Sequence, residues 1–196
     1  MTFTIAKEDL VEAADGVQKM TLAMFLASPE SDQNYEFIDG QVVKKMSPKR
    51  FHASLQAELL FFLRTLFEGR GFVYPEWGIV LTRNGQDWCP VPDLTYISLE
   101  RLPSDVGNEL CPVPPELAIE IMSEGQTFKE FVAKAGDYLN AGVLRVWVID
   151  PMRRTLTVFY PDRAPETYRG CDHKITDELF PDLALNVENL FVKAGI

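Results

Sequence analysis

The sequence predicts an α/β (α+β) fold in which a mixed β-sheet is flanked by helices. Amphipathic helical stretches alternate with short apolar stretches, and the middle of the chain runs helix, strand, strand, strand, helix, strand, the core order αβββαβ. Residues 116–150 place a strand, a helix and a strand in succession, which favours a right-handed crossover between parallel strands.

The beginning of the chain predicts small elements. Residues 1–20 are polar and weakly patterned, so we expect an N-terminal arm there and a single domain over residues 21–196. TLAMFLAS is typical of a short helix with Thr21 as its N-cap. Asp39-Gly40 separates two strand-like runs and indicates a β-hairpin.

The long stretch SPKRFHASLQAELLFFLRTLFEGRG predicts the principal helix. Ser47 is the expected cap, Pro48 the expected first residue, and Gly69 or Gly71 the expected stop. The predicted apolar face consists of Phe51, Leu55, Leu59, Phe62, Leu63 and Leu66.

The remaining elements follow from short apolar runs and turn residues. Strands are predicted at FVYPEWGIVL, PDLTYIS, ELAIEIM and LRVWVID, and the alternation in TLTVFYP predicts a half-exposed strand. TFKEFVAKAGDYLNAG predicts a second helix that begins near Thr127 and stops at Gly142. Its expected buried stripe comprises Phe128, Phe131, Val132, Ala135, Tyr138 and Leu139.

The composition limits the possible classes of protein. A net charge of −10 argues against tight, non-specific nucleic-acid binding, although a local basic patch and a cation-binding site remain compatible with it. No apolar run is long enough to span a membrane, and no secretory signal is visible. The three cysteines have no metal-binding spacing, so we expect free thiols and a cytoplasmic protein.

Two acidic residues and one lysine form the candidate site. Asp93 lies at the start of one predicted strand, and Glu120 lies within the next, where a lone carboxylate among aliphatic residues requires a metal, a cation or hydrogen bonds. Lys134 falls on one flank of the next helix's buried stripe, and Lys129 falls on the other. Paired carboxylates bind Mg²⁺, and a nearby lysine can hold a water or balance charge on a phosphate.

Five blocks of the chain resemble the Uma-two family of endonucleases, a branch of the PD-(D/E)XK, restriction-endonuclease-like nucleases. The blocks are MTLAMFLASPESDQNYEFIDGQVVKKMSP, FHASLQAELL, PVPDLTYIS, PPELAIEIMS and KAGDYLNAGVLRVWVIDP, and the resemblance covers about residues 20–192. It implies a restriction-endonuclease-like mixed sheet and a site that hydrolyses phosphodiesters with Mg²⁺, or with Mn²⁺ as a substitute. It also implies DNA as the substrate, and we expect a homodimer.

The resemblance also assigns residues. Pro92-Asp93 corresponds to the PD element, and Glu120 to the acidic member of (D/E)XK. Met122 stands where the superfamily has its lysine, and the family's lysine on the following helix matches Lys134. Glu36 and His52 match residues that could be outer metal ligands or could position water. The Ser-Glu-Gly at residues 123–125 replaces a common Ser-Pro and alters a loop beside the site.

Simpler interpretations remain open for each residue. Asp93 could cap a turn, and Lys134 could be solvated. Glu120 could be half-exposed on an edge strand or could pair with an arginine. His52 could be an ordinary polar residue at a helix start. The alternative function is a catalytically weak or inactive dimeric binding module of the same fold. A sugar hydrolase with two carboxylates is a third option, although it does not explain the lysine.

Overall fold

The computed structural model describes residues 11–12, 18–170 and 174–196. Within them lie four α-helices: α1 (Leu22–Leu26), α2 (Arg50–Leu66), α3 (Phe128–Asn140) and α4 (Val187–Lys193). The strands of the same residues are β1 (Val11–Glu12), β2 (Gln18–Lys19), β3 (Tyr35–Ile38), β4 (Gln41–Lys44), β5 (Gly71–Pro75), β6 (Leu81–Arg83), β7 (Gln86–Cys89), β8 (Leu94–Ser98), β9 (Leu117–Ile121), β10 (Arg145–Asp150), β11 (Thr155–Phe159), β12 (Glu166–Arg169), β13 (Lys174–Asp177) and β14 (Phe180–Asn186).

The largest sheet has six strands in the order β12-β11-β10-β9-β8-β5. The β9–β10 pair is parallel and is connected through α3, whereas the other neighbouring pairs are antiparallel. The sequence α2, β5, β8, β9, α3, β10 confirms the predicted mixed sheet and its αβββαβ order.

A second sheet contains four strands in the order β4-β3-β7-β6. Its first hairpin turns at Asp39-Gly40, where both residues have positive φ, as the sequence predicts. Its second hairpin turns at Asn84-Gly85, also with positive φ, and was not predicted. The predicted continuous strand FVYPEWGIVL is wrong, because Glu76 has φ of 51° and separates β5 from β6.

The two faces of the large sheet carry separate apolar clusters. On one face, Leu55, Leu59 and Leu63 of α2 pack with Leu117, Ile119 and Ile121 of β9. On the other face, Phe131, Ala135 and Tyr138 of α3 pack with Ala118 and Met122. Because side chains alternate along a strand, the α3 side is also the side toward which Glu120 projects.

Several predicted details differ from the structure. Helix α2 begins at Arg50, with Lys49 as an N-cap that makes no side-chain hydrogen bond, so the assignment of Ser47 and Pro48 is wrong. Residues 45–49 instead form an irregular link between the second sheet and α2. Phe51 and Val132 are 39% and 42% exposed, so both lie outside the faces predicted for them.

Strand β11 is buried along its whole length, which makes the predicted half-exposed strand wrong. It lies between β10 and β12, and inward-facing threonines produce the alternation that suggested exposure.

The proposed division into an arm and one domain remains a prediction, since most of residues 1–20 lies outside the described part of the chain. Among the residues that are described, no helix is both long and apolar enough to cross a membrane.

Candidate functional site

Asp93 and Glu120 meet on adjacent strands of the large sheet. Asp93 directly precedes β8, and its backbone N–H donates to the carbonyl of Ile119 at 3.0 Å. Glu120 is the fourth residue of β9, and the antiparallel register of β8 and β9 brings the two acidic residues side by side. Their exposures of 1% and 3% mean that both carboxylates depend on protein partners for solvation.

The two oxygens of Asp93 have different partners. Oδ2 accepts the backbone N–H of Ile121 at 2.6 Å and lies 3.0 Å from Nε2 of His52. Oδ1 accepts a hydrogen bond from Nζ of Lys45 at 2.6 Å. Burial alone would raise the pKa of Asp93, but the His52 hydrogen bond and the Lys45 charge outweigh it and lower the pKa. Asp93 is therefore an ionised carboxylate at neutral pH.

Glu120 is held through one oxygen by two residues of α3. Its Oε1 accepts from the Tyr138 hydroxyl at 2.7 Å and lies 3.0 Å from Nζ of Lys134. Burial raises the pKa of Glu120, the Lys134 charge opposes this rise, and the Asp93 carboxylate adds to it. The ionisation of Glu120 therefore depends strongly on positive charge nearby.

Lys134 also connects the two sheets. Its ammonium donates to Oε1 of Glu36 on β3 at 2.8 Å, and the same oxygen accepts the backbone N–H of Val91 at 3.1 Å. Burial by itself would lower the pKa of Lys134, but the carboxylates of Glu120 and Glu36 outweigh burial and raise it. The raised pKa favours the protonated form of Lys134, whereas Lys129 on the other flank of the helix is exposed.

The structure adds residues that the sequence interpretation missed. Lys45 bridges Asp93 to Glu76, with 2.8 Å between its Nζ and Oε2 of Glu76. Gln56 donates to Oε1 of Glu76 at 2.8 Å and to the backbone carbonyl of Asp93 at 2.9 Å. Gln56 could have been found from sequence, because it lies four residues after His52 and hence on the same face of α2.

Tyr138 likewise follows Lys134 by four residues and shares its face of α3. The sequence pattern predicts Tyr138 only as a member of the buried stripe. Lys45 and Glu76 offered no comparable signal. Both lie in irregular segments between elements, where periodicity says nothing about side-chain direction.

The formal charges of this cluster do not balance. Four carboxylates, from Glu36, Glu76, Asp93 and Glu120, face the ammonium groups of Lys45 and Lys134. Complete ionisation would leave an excess of two negative charges, which one divalent cation would neutralise. The donor set is thus chemically suited to a hard metal ion. The described residues nevertheless contain no ready-made group of three His, Cys, Asp or Glu side chains for a metal.

A groove with a volume of about 750 Å³ adjoins the cluster through His52. Its lining includes Lys49 and Arg50 at the start of α2, the loop 122–126 and the turn 150–153. The loop contains Ser123, Glu124 and Gly125, which therefore form part of the wall of this groove next to His52.

Comparisons with known proteins place the chain in a family. The model of the Uma2 family, described as "Putative restriction endonuclease", matches residues 22–188. A solved structure described as a "putative nuclease belonging to DUF820" from Anabaena variabilis has a TM-score of 0.78 and 24% sequence identity, and the match covers 89% of this chain and 99% of the other. No curated protein matches. Since the family match extends over most of its length, the chain belongs to the Uma2 family, and the solved structure shares its fold.

Proposed function

We propose that this protein is an endonuclease that hydrolyses phosphodiester bonds of DNA and requires Mg²⁺, with Mn²⁺ as a substitute. One observation carries the proposal: Asp93 and Glu120 lie side by side, and the ammonium of Lys134 is 3.0 Å from Glu120. This arrangement supports the proposal of a PD-(D/E)XK site in which the helix after the second acidic strand supplies the cation.

Asp93 and Glu120 are the residues proposed to hold the metal. Their carboxylate oxygens match the preference of Mg²⁺, and a divalent ion would supply the positive charge that the cluster lacks. When bound, such an ion lowers the pKa of a coordinated water and neutralises charge on a phosphate. Glu36 and His52 are proposed as accessory residues, because each contacts a member of the central group and neither stands beside both acids.

Lys134 acts as a donor and not as a base. In the metal-free protein the charges of Glu120 and Glu36 raise the pKa of Lys134 and favour the protonated amine, which suits a donor. A fixed ammonium can instead orient the attacking water or stabilise negative charge that develops on the phosphate. Tyr138 and His52 hold Glu120 and Asp93 in place by donating to one oxygen of each carboxylate.

The groove beside His52 is the proposed approach for the DNA strand. Its charged lining is Lys49, Arg50 and Arg153 against Glu124 and Asp150. Lys49 pairs with Glu124 at 2.6 Å and Arg153 with Asp150 at 2.9 Å, so the excess is one positive charge. Phosphate binding there should be weak and should fall as salt is added.

Cleavage and metal binding by carboxylate variants test the proposal. Asp93→Asn and Glu120→Gln should each reduce plasmid cleavage in Mg²⁺ or Mn²⁺ by at least about 100-fold, since each removes a charge from the metal site. Asp87→Asn, which removes an exposed carboxylate on β7, should cleave at the wild-type rate. Calorimetric titration with Mn²⁺ should show the same ranking. Wild-type cleavage by both site variants would refute the proposal.

One observation favours the alternative of an inactive dimeric binding module. Lys45 already neutralises Asp93 through a 2.6 Å contact, as a site without a metal would require. This alternative predicts no turnover of any DNA or RNA with either metal ion, together with a stable dimer in light scattering. A monomer that cleaves DNA would contradict it.

A further inference from the structure

Lys45 occupies the side of Asp93 that the proposed metal needs. Among the described residues, Oδ2 of Asp93 has two partners, the backbone N–H of Ile121 and the ring of His52. Oδ1 faces the Lys45 ammonium at 2.6 Å. A metal that binds Asp93 without breaking either of these two contacts must therefore approach Oδ1.

An ammonium and a divalent cation compete for that oxygen. The two positive charges repel each other at such short range, so each weakens the binding of the other. Lys45 also contacts Glu76, so its departure breaks two ion pairs. Metal binding therefore includes the cost of displacing Lys45.

The location of Lys45 makes displacement feasible. The residue follows β4 at the start of the irregular link 45–49, and its side chain is 16% exposed. A long, flexible lysine stem at the edge of a site can move its ammonium into water without unfolding a helix or strand. Lys134, in contrast, extends from the middle of α3.

We propose that Lys45 is an exchangeable internal cation that occupies Asp93 in the metal-free protein and leaves when a divalent metal binds. This inference rests on the proposed metal site. It makes Lys45 a determinant of metal affinity: the lysine stabilises the metal-free carboxylates and weakens metal binding by competition. Gln56 donates to Oε1 of Glu76, a contact that does not involve Lys45.

Mn²⁺ affinity of Lys45→Met tests the inference without any nucleic acid. Removal of the competitor should tighten Mn²⁺ binding by about tenfold in calorimetric titration, the equivalent of losing one partly exposed ion pair. Lys44→Met is the matched control, because it removes the same charge from the adjacent, exposed position and should leave the affinity within about twofold of wild type. Equal or weaker binding by Lys45→Met would overturn the inference.

Thermal melting supplies a second readout. In EDTA, Lys45→Met should melt below wild type, because Asp93 loses its cation. Added Mn²⁺ should raise its melting temperature more than that of wild type, since the metal replaces the missing charge. An equal shift in the two proteins would count against exchange.

A crystal structure of the wild-type protein with Mn²⁺ gives a test that needs no variant. Nζ of Lys45 should lie beyond hydrogen-bond distance of Oδ1 of Asp93, and a retained contact would overturn the inference. Mn²⁺ binding that does not depend on Asp93, or no binding at all, would refute the metal site itself and the inference with it. A normal, Asp93-dependent affinity that Lys45→Met leaves unchanged would refute the inference alone.

Discussion

Replacement of Lys134 by methionine should destabilise the protein in a strongly pH-dependent way. Methionine retains an apolar stem of similar length but removes the charge from Glu120 and Glu36, at 3.0 and 2.8 Å. Breaking one side of a buried ion pair costs about 3–5 kcal/mol. Because the Lys134 side chain is 24% exposed, we expect a loss of about 2–4 kcal/mol in the free energy of unfolding at pH 8.

The pH dependence follows from Glu120. Its pKa is already raised by burial, and the loss of Lys134 removes the charge that opposed this rise. A carboxyl with a raised folded-state pKa binds more protons when folded, so the variant becomes less stable as the pH rises above the ordinary value of 4.5. Towards lower pH, protonation of Glu120 should reduce the deficit relative to wild type, because the buried charge is removed.

Urea unfolding monitored by tryptophan fluorescence between pH 5 and 8 measures this effect. Lys129→Met, an exposed substitution on the same helix, should change stability by less than about 0.5 kcal/mol at every pH. In a Glu120→Gln background, Lys134→Met should cost much less than in wild type, because the buried charge is gone. A deficit that is the same at pH 5 and pH 8, or no larger than that of Lys129→Met, would refute the reasoning.

Three further predictions concern the scaffold. The Thr127 side chain accepts a hydrogen bond from the first turn of α3 in a capping box. Thr127→Ala should therefore lower the free energy of unfolding in urea by about 1 kcal/mol, and Thr127→Ser should stay close to wild type. Gly142→Ala should cost about 1–2 kcal/mol in the same assay, because Gly142 has φ of 99°; no loss would contradict the backbone-strain argument. Cys89 and Cys111 are buried, and burial raises the pKa of both thiols, that of Cys89 to about 12. In a Cys171→Ser variant, both should therefore react slowly with a thiol reagent in the native state and rapidly in urea. Fast native reaction would contradict their burial.

The sequence predicted those parts of the fold that depend on local pattern. Helix α3 has Thr127 as its cap and a stop at Gly142, and the Asp39-Gly40 hairpin forms as expected, because caps and turns depend on a few adjacent residues. The predicted start of α2 is wrong, since Ser47 and Pro48 satisfy a local rule while the chain there links the second sheet to α2.

The failures at the core follow from tertiary burial. Strand β11 alternates in sequence but is buried throughout, because neighbouring strands and both layers enclose it.

The Asn84-Gly85 hairpin is a separate omission, because its dipeptide is a strong local signal that needs no tertiary information.

The candidate site divides in the same way. The sequence by itself determined which residue types could form it: a carboxylate at Asp93, a lone acid within an apolar strand at Glu120, and a lysine at the flank of a helix at Lys134. The family match adds the expected chemistry, while the roles of these residues, of Glu36 and of His52 remain predictions.

Only the tertiary structure decided how the charges are distributed. It brought Lys134 between Glu120 and Glu36, and it placed Lys45 against Oδ1 of Asp93, the oxygen that His52 does not contact. Lys45 and Asp93 are 48 residues apart, in segments whose local pattern says nothing about their contact. The physical reason is that burial and charge pairing depend on which chain segments meet in space, whereas a sequence pattern reports only the few neighbours of each residue.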